Sequence, residues 1–371
     1  MISEKRLRQQ TRRVVAARDQ FTQTLDNITG LMTMPVGTRD LTLLAKATAE
    51  LKHRRIALRS EMWSLRRLLP ASLRRAAMPK RRVPRGPDEE MAAAAATLEP
   101  LRLMLRQLGA TIAILEQLCD APRTPLYVDI DRADPRTAQA RVIDQAYDVL
   151  HINSRSEQQD AAAISAGAHA DIPLAASLFL AHVHFAWRVL AAQGRSETAR
   201  FIDVGSGAGS KVVLASRVFA QADGLELDPG YAEASRRMLG QRFTTNCRTI
   251  EGDALEFDGF DGYDVIYFFL PIRDRDAMRA LEDRIIARAR PRTVLITPYA
   301  GFTDRAEQKG VAKLAGSVSI TQTTSAEAAT LIDGARLIGP LMPGPEGLKL
   351  RSSDGLLAPL IHALRLNGYA D

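Results

Sequence analysis

The sequence predicts an α/β protein: a mostly parallel seven-strand sheet with helices on both faces, preceded by a helical N-terminal region. Two observations carry this. From residue 200 onward, short apolar runs alternate with helix-patterned segments, as in a parallel sheet built of strand–helix–strand units. Residues 201–209, Phe-Ile-Asp-Val-Gly-Ser-Gly-Ala-Gly, carry an apolar strand into a glycine turn, and a helical pattern follows over 211–219. Strand, glycine turn and helix form the first unit of a Rossmann-like nucleotide site.

Residues 3–27 and 38–69 read as two helices, with a turn between Gly30 and Asp40 at Gly30, Pro35 and Gly37. In the second, Leu41, Leu44, Leu51, Leu58, Leu65 and their apolar neighbours recur at near-helical spacing, and Thr48 interrupts the stripe. The basic, proline-rich run at about 79–87 reads as an exposed linker. A third helix is expected over 88–118. This gives a basic helical region at 1–125 and an α/β domain at 126–371. In the latter, 127–130 reads as a short strand, and 138–150 and 173–193 as helices. The main strands fall at 200–204, 222–226, 246–250, 263–269 and 292–297. Residues 318–321 and 336–339 are expected to form a final hairpin.

At 371 residues the chain is long enough for two domains, and its 46% hydrophobic content is that of a folded protein. Its two cysteines, Cys119 and Cys247, have no metal-ligand spacing, so no zinc site or disulfide framework is legible. The first residues lack a secretory apolar core, which together with the sparse cysteines predicts a cytoplasmic protein. The apolar stretch 172–192 is broken by His182, His184 and Arg188, so it reads as a buried helix and no transmembrane segment is expected. The net charge of +7 is uneven: residues 1–87 hold 20 Lys and Arg against 6 Asp and Glu. A basic arm on a mildly acidic domain signals an anionic partner, RNA or acidic protein.

Asp203 decides the ligand of the glycine turn. A carboxylate two residues before the first glycine repels a dinucleotide pyrophosphate and attracts the cationic amino end of S-adenosylmethionine. The third glycine, Gly209, is also one residue early for the dinucleotide pattern. Glu226, at the end of the second strand, is placed to accept hydrogen bonds from both ribose hydroxyls, and Asp253 to take the adenine amino group. Asp253 has a second reading as a helix N-cap. The expected cofactor residues are Asp203, Gly205, Ser206, Gly207, Gly209, Glu226, Leu227, Asp253 and Ala254.

Four blocks, 200–209, 222–229, 250–254 and 263–271, in this order and spacing, resemble the class I S-adenosylmethionine-dependent methyltransferases over roughly residues 170–340. The glycine turn, Gly224-Leu225-Glu226-Leu227-Asp228-Pro229 and the run Tyr263 to Pro271 are similar to a seven-strand protein-lysine group. That group includes the mitochondrial ATP-synthase c-subunit and nucleosomal histone core-lysine methyltransferases. The resemblance implies in-line methyl transfer to a protein substrate, with the basic arm recruiting it. Phe268, Phe269, Leu270, Pro271 and Tyr299 would then line the reacting end, with an apolar wall favouring the neutral amine. The fourth strand lacks the polar grip of amino-methylating DNA enzymes, and neither cysteine is placed for cytosine-5 chemistry. Strand side chains alternate faces, so at least two of Tyr267, Phe268 and Phe269 are expected in the core. Two other readings stand: an RNA or small-molecule methyltransferase, and a non-catalytic adaptor that keeps the fold.

Overall fold

A computed structural model describes residues 4–70, 73, 87–127, 135–154, 159–169, 174–241, 245–342 and 355–370. The linker at 79–86 and positions 128–130 of the expected short strand lie outside these residues. The chain divides into two compact units, Met1–Pro122 with Glu346–Arg365, and Arg123–Pro345 with Leu366–Tyr369.

The first unit is built on three long helices, α1 (Glu4–Thr33), α2 (Leu41–Leu68) and α3 (Pro87–Cys119). Their buried residues repeat every seven positions: Leu7, Phe21 and Ile28 with Val14 in α1; Leu44, Leu51, Leu58 and Leu65 in α2; Leu101, Leu108 and Leu115 in α3. A seven-residue repeat keeps one seam facing its neighbour along the whole helix and implies a left-handed supercoil. α1 and α2 form an antiparallel hairpin, since Gln10 Nε2 donates to the Glu61 carboxylate (2.6 Å) and Arg54 Nη1 to Gln20 Oε1 (2.7 Å). α1 runs through Gly30, where a turn was expected, to Thr33. The turn itself is shorter. Asp40 closes it by accepting from the Thr42 and Leu43 N–H groups, both at 2.9 Å, as the N-cap of α2. Thr48 is buried in the seam, and its hydroxyl donates to the Leu44 carbonyl at 2.8 Å, so the polar atom is satisfied within its own helix.

The second unit carries the predicted seven-strand, mostly parallel sheet, in the order β3-β2-β1-β4-β5-β7-β6. The strands are β1 (Arg200–Val204), β2 (Gln221–Glu226), β3 (Cys247–Glu251), β4 (Val265–Phe268), β5 (Val294–Ile296), β6 (Val311–Ala315) and β7 (Val318–Thr321). β1 to β5 are parallel, while β7 runs antiparallel to β5 and to β6. The final hairpin therefore pairs 318–321 with 311–315, not with 336–339. Arg336 instead ends a helix, Ser325–Arg336, begun by a Thr324–Glu327 capping box. The short apolar run at 336–339 has no turn before it to bring it back as a strand, whereas Gly316 at φ +54° stands between β6 and β7.

Helices cover both faces. These are α4 (Pro135–Ser154), α5 (Ala161–Ser165), α6 (Ala176–Ala192), α7 (Ser210–Ala215), α8 (Pro229–Gln241), α9 (Arg275–Arg288), α10 (Phe302–Ala306) and α11 (Ser325–Arg336). The last helix of the chain, α12 (Ala358–Leu366), belongs almost wholly to the first unit. Strand alternation sorts the side chains. Ile202, Val204, Ile266, Phe268 and Leu295 share a core with Met278, Leu281 and Ile285 of α9. Phe201 and Tyr267 point the other way, each ring edge-on to Phe179 of α6, at 6.1 and 5.1 Å. Arg188 of α6 is buried and donates to the Thr124, Pro125, Ala335 and Ile338 carbonyls at 2.7–3.1 Å, fixing the chain on that face. Among the described residues, no helix is long and apolar enough to cross a membrane.

Candidate functional site

The strand order reverses at β1, which is flanked by β2 on one side and β4 on the other. Beyond a switch point of this kind, the loops at the carboxyl ends diverge and leave a crevice. A cavity lies there, bordered by Gly205 and Gly207 after β1, Glu226 and Leu227 after β2, Gly252 to Leu255 after β3, and Phe269 to Ile272 after β4.

The glycine turn is shaped by two close approaches. Gly205 has φ +77°, and a Cβ there would come within 2.5 Å of the Pro271 Cβ, so the β1 and β4 loops touch only because Gly205 has no side chain. Gly209 has φ +82° and starts α7, and its missing Cβ makes room for Ser235 of α8. Gly205 and Ser206 N–H both donate to the Leu225 carbonyl, at 2.8 and 3.1 Å, pinning the turn to β2.

Glu226 is buried at the end of β2. Its Oε2 accepts from Gly207 N–H at 2.7 Å and its Oε1 from Asp228 N–H at 2.9 Å. A carboxylate has about four acceptor sites. Each oxygen thus holds a backbone donor, and the carboxylate borders the cavity. Asp253 Oδ1 accepts from Leu255 N–H at 2.8 Å, the turn-capping role, while Asp253 also borders the cavity. Asp253 therefore caps a turn, with no helix following it, and stands at the cavity wall.

Several expected residues sit elsewhere. Asp203 is 1% exposed, lies on the α6 face of the sheet beside Tyr267, and does not border the cavity. The Tyr267 hydroxyl is pushed well above its ordinary pKa by burial and by the Asp203 charge, so it is neutral. Ser206 turns its hydroxyl toward Gly224 of β2. Gly209 serves the α7–α8 approach and not the cavity wall. Phe268 is fully buried with Phe302 and Tyr299, ring centroids at 5.5 and 6.1 Å, because the last residue of β4 faces α9. Tyr299 donates its hydroxyl to Glu282 at 3.0 Å, in a cluster closed by Arg305, and does not border the cavity. Phe269, Leu270 and Pro271 do border it. Leu270 holds φ +47°, a strained conformation for a side-chain-bearing residue at the mouth of a site.

The sequence reading missed the segment that closes the crevice. Residues 166–169 run antiparallel to the β4 loop: His169 N–H donates to the Pro271 carbonyl (3.0 Å), Arg273 N–H to the Gly167 carbonyl (2.9 Å), and Ala168 bridges Ile272. Asp228 anchors the same segment. It caps α8 through Gly230 and Tyr231 N–H and accepts the Asp160 N–H at 2.7 Å. Ala166, Ala168 and His169 thereby join the cavity wall, as does Lys211 from α7, whose Nζ lies 5.9 Å from the Tyr267 ring. His169 is held below its ordinary pKa, first by burial and then by Arg273, so its imidazole is neutral near pH 7. A histidine thirty-six residues before Gly205 has no local signal in the sequence, since its own N–H bond to Pro271 and the Asp160 N–H bond to Asp228 bring the segment there.

No protein-family model matches the chain, and no match to a curated protein is found. Solved structures do resemble it. An RNA methyltransferase from Salinibacter ruber, in complex with S-adenosyl-L-homocysteine, is 20% identical over 40% of this chain and 91% of that one, with a TM-score of 0.29. A magnesium protoporphyrin IX methyltransferase from Synechocystis, with bound SAM, is 13% identical over 52% of this chain and all of that one, with a TM-score of 0.34. An amino pentose methyltransferase from Micromonospora echinaspora, with SAM bound, is 26% identical over 35% of this chain and 58% of that one, with a TM-score of 0.25. The chain's own strand order, with β1 to β5 parallel and β7 antiparallel, is that of a seven-strand Rossmann-like sheet.

Proposed function

We propose that the chain is an S-adenosylmethionine-dependent methyltransferase acting on a lysine amine of a protein. One observation carries the cofactor assignment: at the switch point, the glycine turn and the buried Glu226 carboxylate meet in one cavity, with Gly207 N–H fixed on Glu226 at 2.7 Å. The residues present fit the cofactor. Glu226 borders the cavity as the carboxylate for the ribose hydroxyls, Gly205 and Gly207 bring side-chain-free backbone to its wall, and Leu227, Asp253 and Ala254 are the residues we assign to the adenine. When bound, S-adenosylmethionine supplies an electrophilic methyl on a sulfonium.

This chain's own residues then position the acceptor and exclude water. Phe269, Leu270 and Pro271 present an apolar lip, on which a lysine side chain can lie along its stem. An ammonium at this lip is disfavoured by low dielectric, which favours the nucleophilic amine. The neutral His169 imidazole on the same wall is able to take up the proton the ammonium sheds. The basic helical unit serves to recruit the substrate.

The decisive test incubates the protein with radiolabelled methyl donor and cell extract. Label is expected in protein, on lysine, with a rate that rises with pH as the bound amine deprotonates. Label in RNA or in small molecules rejects the acceptor class. Cofactor binding without transfer to any fraction supports an adaptor instead. Phe269→Ala should slow transfer while leaving cofactor affinity nearly unchanged, since positioning of the amine is what is lost.

A further inference from the structure

The face of α2 turned away from its buried seam is not a uniform solvated surface. Leu44, Leu51, Leu58 and Leu65 fill the seam. On the opposite side, Ala49, Ile56 and Trp63 repeat at the same seven-residue interval. Ile56 is 66% exposed and Trp63 58% exposed, among the larger exposures of any big apolar side chain in the described residues. Arg59 and Arg66 flank this ridge on one side, at three residues after Ile56 and Trp63, and Arg67 lies over the Trp63 ring at 4.6 Å. None of these arginines pairs with a carboxylate among the described residues, whereas Lys52, earlier on the helix, is paired with Glu116. A second heptad stripe bordered by unpaired positive charge is the surface a further helix needs, with apolar residues at its own seam and acidic ones beside it.

We infer that α2 docks an acidic amphipathic helix of a partner protein on the Ala49–Ile56–Trp63 ridge, with Arg59, Arg66 and Arg67 pairing its flanking carboxylates. The chemistry separates this occupant from two others. A nucleic acid strand would use the arginines and the indole but has no use for Ile56, and one exposed ring is a poor stacking platform. A lipid surface needs a broad apolar face to insert, and the ridge offers only two large apolar side chains. The inference concerns the helical unit and is independent of the acceptor assigned to the cavity.

The two tryptophans give a direct readout, because Trp63 is exposed and Trp187 is 1% exposed. The full chain is titrated, without methyl donor, with a synthetic four-heptad peptide carrying Leu at the seam positions and Glu beside them. A scrambled peptide of the same composition, poly(U) RNA and phosphatidylserine vesicles are titrated in parallel. Trp63 emission should shift to the blue and saturate with the patterned peptide, with affinity falling as salt rises. Measured with a labelled peptide, Ile56→Ser, and separately Arg59→Glu with Arg66→Glu, should each weaken binding about 10-fold or more. These positions are exposed, so unchanged helicity and melting are expected and confirm that the variants fold. Equal binding of the scrambled peptide, or unchanged affinity in both variants, overturns the inference. So does a Trp63 shift with poly(U) or vesicles and none with the patterned peptide.

Discussion

The helical unit and the sheet unit handle buried polarity in opposite ways. Among the described residues, the helical unit buries no charged side chain, and its buried polar groups, Gln10, Thr24, Thr48 and Thr111, are uncharged. The sheet unit buries Asp203, Asp223, Glu226, Asp228, Asp264, Glu282 and Arg188. Several are held by specific donors or acceptors: Asp223 by Tyr263 and Arg248, Glu282 by Arg305, and Arg188 by four carbonyls. Burying a charge is costly unless it is paired and hydrogen-bonded. A unit that repeats a leucine every seven residues gains stability from many equivalent contacts and has no need of such groups. A parallel sheet covered by helices buries charges both along its strands and on the covering helices, and offsets the cost with such partners.

This contrast can be broken in order of effect. Gly205→Val should abolish binding of S-adenosylmethionine and S-adenosylhomocysteine by calorimetry, because φ +77° is strained for Val and its Cβ collides with Pro271. Saturable binding in this variant would detach the glycine turn from the cofactor. Leu58→Ala should act on the other unit alone. It removes a fully buried seam residue and should cost about 2–5 kcal/mol by denaturant unfolding, with cofactor affinity in the folded protein unchanged. A loss of cofactor affinity would show that the two units are energetically coupled.

His182 tests the cost of burial in the sheet unit. It is 4% exposed, packs edge-on to Tyr127, and burial lowers its pKa from 6.5 to about 4. The folded pKa is depressed, so the unfolded chain binds the proton more readily. The neutral form's stability is therefore present above about pH 6.5 and is lost as pH falls toward 4, by up to ~3 kcal/mol. His182→Leu should flatten this part of the stability–pH profile and leave stability at neutral pH nearly unchanged. An unaltered acid transition would assign it to other groups.

Glu226→Ala should weaken cofactor binding by ~1.5–3 kcal/mol, or about 10- to 150-fold, as charge-assisted hydrogen bonds are lost. The smallest effect is expected for Thr48→Val. Its hydroxyl donates to the Leu44 carbonyl of its own helix and also meets the Cys119 thiol of α3, so exchanging it for a methyl should cost about 1 kcal/mol in thermal unfolding. A larger loss would reveal a further role for that hydroxyl in the seam.

The sequence alone determined the elements whose signals are local. An apolar run entering Gly205, Gly207 and Gly209 has few alternatives to a strand and a tight turn, and Glu226 follows at the end of the next apolar run. The three long helices were legible from the recurrence of apolar residues, and the five parallel strands lie within a few residues of where the apolar runs placed them. Tertiary structure decided the rest. A period of two says that Tyr267 and Phe268 face opposite sides of the sheet, but not which side meets α9 and which meets α6. That choice sent Phe268 into the core, with Tyr299 packed against it, and left Phe269 at the cavity. Asp203 went to the α6 face for the same reason. The closing segment at 159–169 owes its place to Asp228 and to the carbonyl of Pro271, residues far along the chain. Contacts of that separation leave no periodicity in the sequence, because each is fixed by one donor meeting one acceptor only after the sheet has brought them together.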